Sequence, residues 1–400
     1  MNVSHMLSKR VKSMTESATI KMSAKARELK EKHDDVISLS LGEPDFGTPQ
    51  HIVDAAVKAL ADGYTKYTPV PGLVEYRKAI QAKFKRDNDL DYSMSEIIVS
   101  NGAKQSISNI CQAIIESGDE VIIFTPYWVS YSDIVKLAGG TVINVKAGIE
   151  QDFKVTPEQL EKAITPRTKA ILFSSPCNPT GSVFTKEELE ALAEVIDRNK
   201  NILVISDEIY EYINFGKKHY SIGAVESLKG RVATVNGMAK GFSMTGWRLG
   251  YMGGPEWLVK ACSKLQGQVT SGANAFGQKA AADALLADLG PSLKMKDEFA
   301  KRKKLVIELF SDIEGIKCNN PKGAFYVFPD VSAYYGKSDG HITLDNSEDF
   351  CEAILENTRV ALVPGIAFGD DNCFRLSYAA SEEQLRDAIG RIKTYLANFK

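Results

Sequence analysis

The chain has 400 residues, 44% of them hydrophobic and 25% charged, with a formal net charge of −2. That length exceeds one ordinary core and predicts two domains, or one large α/β domain with an attachment. The charge gives no electrostatic case for nucleic acid or an anionic membrane surface, and no apolar run approaches the roughly 20 residues of a membrane span. The opening MNVSHMLSKRVKSM lacks the apolar stretch of a secretory signal. Six scattered cysteines without a CxxC pair read as reduced thiols, so a cytoplasmic location is expected.

In chain order, SAKARELKEKHDDVISLS (Ser23–Ser40) precedes the main sheet and is expected to pack on a C-terminal unit. After SNGAKQ (Ser100–Gln105), Ile107, Ile110, Ile114 and Ile115 fall on one helical face. EVIIF (Glu120–Phe124), KAILF (Lys169–Phe173), ILVIS (Ile202–Ser206) and RVATV (Arg231–Val235) read as buried strands, with an amphipathic helix over Lys186–Lys200. Apolar strands separated by helices predict a mainly parallel sheet covered on both faces, with ligands at the carboxyl ends of its strands. Beyond about Gly290 the texture changes to a long charged helix, short strands in GAFYVFPD, VALVPG and FRLSYA, and a final helix, which suggests a smaller α+β domain. The expected division is 1–45 for an N-terminal arm and a segment packing on the small domain, 46–290 for the large domain and 291–400 for the small one.

Several polar signatures follow strands. Gly102 and Ala103 leave the N–H groups of a helix start bare, which suits a phosphate, although small residues also open helices merely to pack closely. Asp207 and Tyr210, in SDEIY, follow ILVIS; the carboxylate can cap a helix or hold a cationic nitrogen. Asn178, in SSPCNPTG, can be a turn residue and nothing more. In NGMAKGFSMTGWRLGYMGGP (Asn236–Pro255), Lys240 stands among small residues with no carboxylate nearby in sequence, and Arg248 follows eight positions later.

The combination resembles the pyridoxal-phosphate enzymes of the aspartate aminotransferase family, fold type I, and more narrowly their bacterial class I subgroup. SLGEPDFGTP, YTKYTPVPGL, PYWVSY, SPCNPTG, SDEIYE, AKGFSMTGWRLGY, GAFYVF and FRLSYA occur in family order over nearly the whole chain. The resemblance implies a large domain whose mixed, mainly parallel sheet is sandwiched by helices, a smaller α+β domain, and pyridoxal 5'-phosphate as cofactor. It implies that Lys240 forms the Schiff base with the cofactor aldehyde and serves as the catalytic base, its pKa lowered beside a cationic cofactor with few counter-charges. Arg248 would grip the cofactor phosphate, with Gly102, Ala103 and Lys104 at the helix start beside it. Asp207 would pair with the pyridinium nitrogen, Tyr210 and Asn178 would serve the ring's phenolic oxygen, and Trp128 would stack on the ring. Tyr67, in YTKY, would reach the phosphate of a neighbouring subunit, which makes the working unit a homodimer with shared sites. Gly237 stands three residues before the lysine, where relatives often carry a phosphate-binding serine.

For substrate, the resemblance implies that Arg375 grips the α-carboxylate in a bidentate fork, with Gly42, Trp128 and Asn178 beside it. Between Leu249 and Lys301 there is no arginine to take a distal carboxylate; the subgroup instead uses a lysine, here Lys104, with hydroxyls corresponding to Ser17 and Thr19. Lys104 can equally be an exposed helix lysine, and Ser17 a helix cap. Aspartate with 2-oxoglutarate is therefore the expected pair, in a ping-pong cycle. Thr15-Glu16 replaces the Lys-Pro that prephenate-accepting relatives tend to carry, which lowers that expectation. The rivals are an aromatic or alanine-type transaminase and a carbon–sulfur β-lyase on the same fold. A regulator of this fold would carry an added DNA-binding domain, and the main domain here begins by about Ser38. No motif suggests a metal site, and SNGAKQ lacks the spacing of a dinucleotide-binding loop.

Overall fold

The computed structural model describes residues 6–12, 14, 18–216 and 218–400; Ser17 lies outside them. A short strand, β1 (Ile37–Ser38), comes first. Seven strands then build the main sheet: β2 (Ile97–Ser100), β3 (Glu120–Thr125), β4 (Thr141–Lys146), β5 (Thr168–Ser174), β6 (Leu203–Asp207), β7 (Val232–Gly237) and β8 (Gly250–Gly253). Their spatial order is β2-β8-β7-β6-β5-β3-β4. Strand β8 runs antiparallel to both its neighbours, and every other pair is parallel.

Each residue of β3, β6 and β7 is buried, as the uninterrupted apolar reading required. Successive residues still point to opposite faces. Val121 and Ile123 pack with Ile107, Ile110 and Leu258, from helices Ala103–Ile114 and Glu256–Val269. Ile122 meets Leu189, Leu192 and Ile196 of the helix Lys186–Asp197 on the other face. That helix starts at a Thr185–Glu188 capping box and stops three residues before the predicted Lys200. Asn199 Nδ2 donates to the carbonyl of Val195 at 3.0 Å, drawing one of the helix-end carbonyls out of the ladder. Edge strand β4 is exposed or half-exposed at all but one residue, and its weak apolar pattern gave no strand signal.

The remaining strands are β9 (Tyr326–Val327), β10 (Val360–Ala361), β11 (Val363–Pro364) and β12 (Phe374–Ser377). They form an antiparallel β11-β12-β9 sheet and a parallel β1-β10 pair. GAFYVFPD contributes only two ladder residues, because Ala324 takes a left-handed φ of 56° before them and Pro329 follows them, with no N–H to donate. The helices Gly290–Ser311 and Glu382–Leu396 cover this layer through Phe299, Val306, Phe310, Leu385 and Ile389. Met22, Ala26, Ile37 and Leu39 join the same core. No helix among the described residues is long and apolar enough to cross a membrane.

The topology gathers the carboxyl ends of β2, β3, β5, β6 and β7 along one rim. Because β8 is antiparallel, its first residue, Gly250, lies at that rim too, where an added Cβ would collide with the backbone of Gly102 and Ala103. Gly250→Ala is expected to destabilise the protein by about 1–3 kcal/mol, the range for overpacking. Chemical denaturation of the cofactor-free protein checks it; an unchanged midpoint would show that the strand and helix start are free to separate.

Candidate active site

A cavity of about 350 Å³ opens along that rim. It is lined by Thr19, Gly42, Gly102, Ala103, Lys104, Trp128, Asn178, Asp207, Tyr210, Lys240, Arg248 and Arg375. Twelve of the fourteen residues singled out from sequence thus come together. Tyr67 does not reach this cavity: it is 97% exposed, on a surface with Tyr64 and Phe276. Ser17 is outside the described residues.

Lys240 follows β7 and is largely buried. Its Nζ donates to the carbonyl of Gly42 and lies 5.8 Å from the Tyr210 ring centroid. Burial is the first cause that lowers its pKa, to about 8; Arg375 and Arg248 push the same way, while Glu43 and Asp207 oppose them. An amine in that state is a usable nucleophile and base near neutral pH.

Asp207 ends β6 and is 4% exposed. Its carboxylate accepts from Tyr131 Oη at 2.7 Å and from the Ile209 N–H at 3.2 Å. Burial raises its pKa to about 6 against those two bonds. Among the described residues no cation forms an ion pair with it. A buried carboxylate in that condition suits a protonated ring nitrogen.

Gly102 opens the helix Ala103–Ile114 at φ 86°, with no side chain capping the first N–H groups. A Cβ there would run into the Arg248 guanidinium, so glycine is what lets the arginine approach the helix start. Arg248, itself at φ 56°, donates to the Thr245 carbonyl at 3.0 Å and contacts that of Asn101 at 3.4 Å. Bare N–H groups, a helix N-terminus and a guanidinium paired only to carbonyls make a cradle for a phosphate dianion.

Arg375, on β12, is 2% exposed. Its Nη1 donates to Asn178 Oδ1 at 3.0 Å and Nη2 to the Ser40 carbonyl at 2.5 Å. Its Nε is buried with no hydrogen-bond partner among the described residues. Its carbon lies 4.6 Å from the Tyr326 ring centroid and 5.0 Å from that of Phe368. Across the cavity Lys104 Nζ sits 4.8 Å from the Trp128 ring, and partial desolvation, then the charge of Arg248, lowers its pKa. Thr19 lines the wall from the helix Ala18–Lys30.

Two tyrosines escaped the sequence reading. Tyr131 holds Asp207, and Tyr326 shares a 2.7 Å hydrogen bond with Tyr210. Both stand inside motifs quoted above, PYWVSY and GAFYVF, but spacing carries no sign of contacts made across 76 and 116 residues. Beside the site, Glu208, Glu211 and His219 bring ligand atoms within 4.8 Å of one another. Lys83, fully buried, is already ion-paired to Glu211, and Glu208 is taken up by Ser206, Ser221 and His219.

The sequence matches the family described as aminotransferase class I and II over residues 34–392. It is 47% identical over 393 residues to an aspartate aminotransferase of Geobacillus stearothermophilus, covering 98% of each chain. It is 44% identical over 395 residues to an aspartate/prephenate aminotransferase of Nitrosomonas europaea, covering 98% of this chain and all of that one. The solved Thermus thermophilus aspartate aminotransferase with maleate superposes with a TM-score of 0.92 at 42% identity, over 98% of this chain and 99% of that one. The chain belongs to the class I and II aminotransferases. It is an enzyme of the fold type I architecture, and its cofactor is pyridoxal 5'-phosphate.

The unpaired Asp207 carries a stability consequence. Its pKa of about 6 lies above the ordinary carboxylate value, so the folded state holds the proton more tightly than the unfolded state does. Below both values the group is neutral in each state and costs nothing; as pH rises through 6 the cost is fully expressed. Asp207→Asn in cofactor-free protein should therefore be stabilising by about 2–3 kcal/mol at pH 8 and neutral near pH 3.5. Denaturation at several pH values checks it; a pH-independent difference would mean that the carboxylate has another compensating partner.

Proposed function

We propose that the enzyme transfers the amino group of L-aspartate to 2-oxoglutarate, giving oxaloacetate and L-glutamate in a ping-pong cycle. The observation that carries this reading is the buried Arg375, which lines the same cavity as Lys240 and Lys104. One cation suits an α-carboxylate and the other a distal one. The names of the relatives, and maleate, a dicarboxylate, in the Thermus structure, support the same choice.

In this reading Arg375 orients the amino acid by its α-carboxylate, and Asn178, bonded to Nη1, keeps the guanidinium plane turned to the cavity. Lys104 and Thr19 receive the distal carboxylate, while Gly42 and Trp128 narrow the space around it. When bound, pyridoxal phosphate supplies an aldehyde that condenses with amines and a ring that takes up the electron pair left at Cα. Arg248, Gly102, Ala103 and the first turn through Lys104 would hold its phosphate; Asp207 would keep its ring nitrogen protonated. Tyr210 and Asn178 would face its ring oxygen, and Trp128 its ring face. Lys240 Nζ removes and returns the Cα proton of the substrate, a task its depressed pKa allows near neutral pH.

We further propose the division into an N-terminal segment (1–45), a large domain (46–290) and a small domain (291–400), with a homodimer as the working unit. The separate apolar core of the C-terminal layer supports the first. The 97% exposure of Tyr67, outside its own cavity, supports the second, in which it completes a neighbouring site. Prephenate as an acceptor is a second reading, favoured by relatives such as the Nitrosomonas enzyme and opposed by Thr15-Glu16.

Borohydride reduction of the yellow protein followed by peptide mapping should find a pyridoxyl group on Lys240, and Lys240→Ala should be inactive. Loss of the adduct site to another lysine would end the assignment. Lys104→Ser should raise KM for aspartate about 10- to 100-fold, the worth of a charged hydrogen bond, and leave phenylalanine turnover within about twofold. Equal losses for both substrates would remove Lys104 from the distal site.

A further inference from the structure

We propose that Tyr326 is a positioning residue: its hydroxyl, bonded to that of Tyr210, determines the strength of the single proton Tyr210 can turn toward the cofactor. The inference rests on the reading above, in which Tyr210 faces the ring oxygen. The two hydroxyls are 2.7 Å apart and buried, their rings edge to face at 5.8 Å and 81°. A phenol has one proton to give and two lone pairs. If Tyr210 donated to Tyr326, it would have nothing left for an acceptor in the cavity. With an anionic oxygen there, the favoured arrangement is Tyr326 donating to Tyr210 and Tyr210 donating onward. Each bond in such a chain polarises the next.

The surroundings keep Tyr326 in that place. It pairs with Ser377 across the β9–β12 ladder, and Arg375, two residues before Ser377, shares that face of the sheet. The Arg375 guanidinium lies over its ring. On another side, a Cβ on Gly42 would come within 2.7 Å of its hydroxyl oxygen, and the Gly42 carbonyl is the acceptor for Lys240. One side chain therefore touches the segment under the catalytic amine, the carboxylate-binding arginine and the tyrosine over the ring oxygen. The charged groups facing the pair are Arg375, Asp207, Glu43 and Lys240. Burial raises the pKa of both phenols, so both remain donors across the working pH range.

The test is the pH titration of visible absorbance in the cofactor-loaded enzyme. Tyr326→Phe deletes one oxygen and leaves the ring on Arg375. A weaker Tyr210 donor leaves more negative charge on the ring oxygen, which retains the proton on the Lys240 nitrogen. The midpoint should rise by roughly 0.3 pH units, from a 10–30% loss of hydrogen-bond strength, while KM for aspartate stays within about twofold. Tyr210→Phe should raise the midpoint further, and adding Tyr326→Phe to it should cause no additional shift. An unchanged midpoint in Tyr326→Phe, or the same added shift without the Tyr210 hydroxyl, overturns the proposal. A wild-type protein whose visible band is not attached at Lys240 would overturn the underlying reading as well, and is recognised without any variant.

Discussion

The site depends on an amine that is taken out of water without being locked to a carboxylate. A lysine fully paired to an acid would stay an ammonium, useless as nucleophile or base, and one left in solvent would do the same. Lys240 avoids both fates. It bonds to a carbonyl, that of Gly42, and its charged form is opposed by burial and by two arginines, while Glu43 and Asp207 temper the effect. In the proposed reading these arginines bind anions, so the groups that would recognise phosphate and carboxylate also tune the amine.

The buried charged groups of the cavity differ from those beside it in having no ion-pair partner among the described residues. Lys83 and Glu211 form a fully buried ion pair, with Asn88 bonded to both, and Glu208 has three partners. Such internal pairing belongs to architecture. Asp207 has two neutral donors and no ion-pair partner among the described residues, and Arg375 keeps an orphaned Nε. Groups in that condition cost stability until a ligand completes them. They are carried by the apolar sheet cores on either side, whose strands hold the ends of β5, β6 and β7 in register.

Register brings distant residues to one rim. Parallel pairing sets Ser174 opposite Asp207, and Asp207 opposite Val235, so segments leaving successive strands enter the same crevice. The reversed strand β8 adds Arg248 from its opposite end. The antiparallel β11-β12-β9 layer then supplies Arg375 and Tyr326 together, which sets the proposed carboxylate-binding arginine against one member of the tyrosine pair.

The amino-acid sequence by itself determined the class of fold and picked out many of the residues that line the cavity. Apolar runs such as ILVIS and RVATV read as strands covered on both faces, and such strands deliver the residues that follow them to a shared edge; that placed Asp207, Asn178 and Lys240 together, while the roles proposed for them came from the resemblance of the motifs around them. Chemistry confined to one short segment, like the Gly102–Ala103 helix start, was legible too. Tertiary structure alone decided what these groups touch. Tyr131 on Asp207 and Tyr326 on Tyr210 are contacts between segments far apart in the chain, and side-chain periodicity carries no information about them. The same holds for β4, an edge strand with too little burial to leave an apolar pattern, and for Tyr67, whose exposure no local motif records. Local composition selects an element, but the burial and partnering of a side chain are properties of everything packed around it.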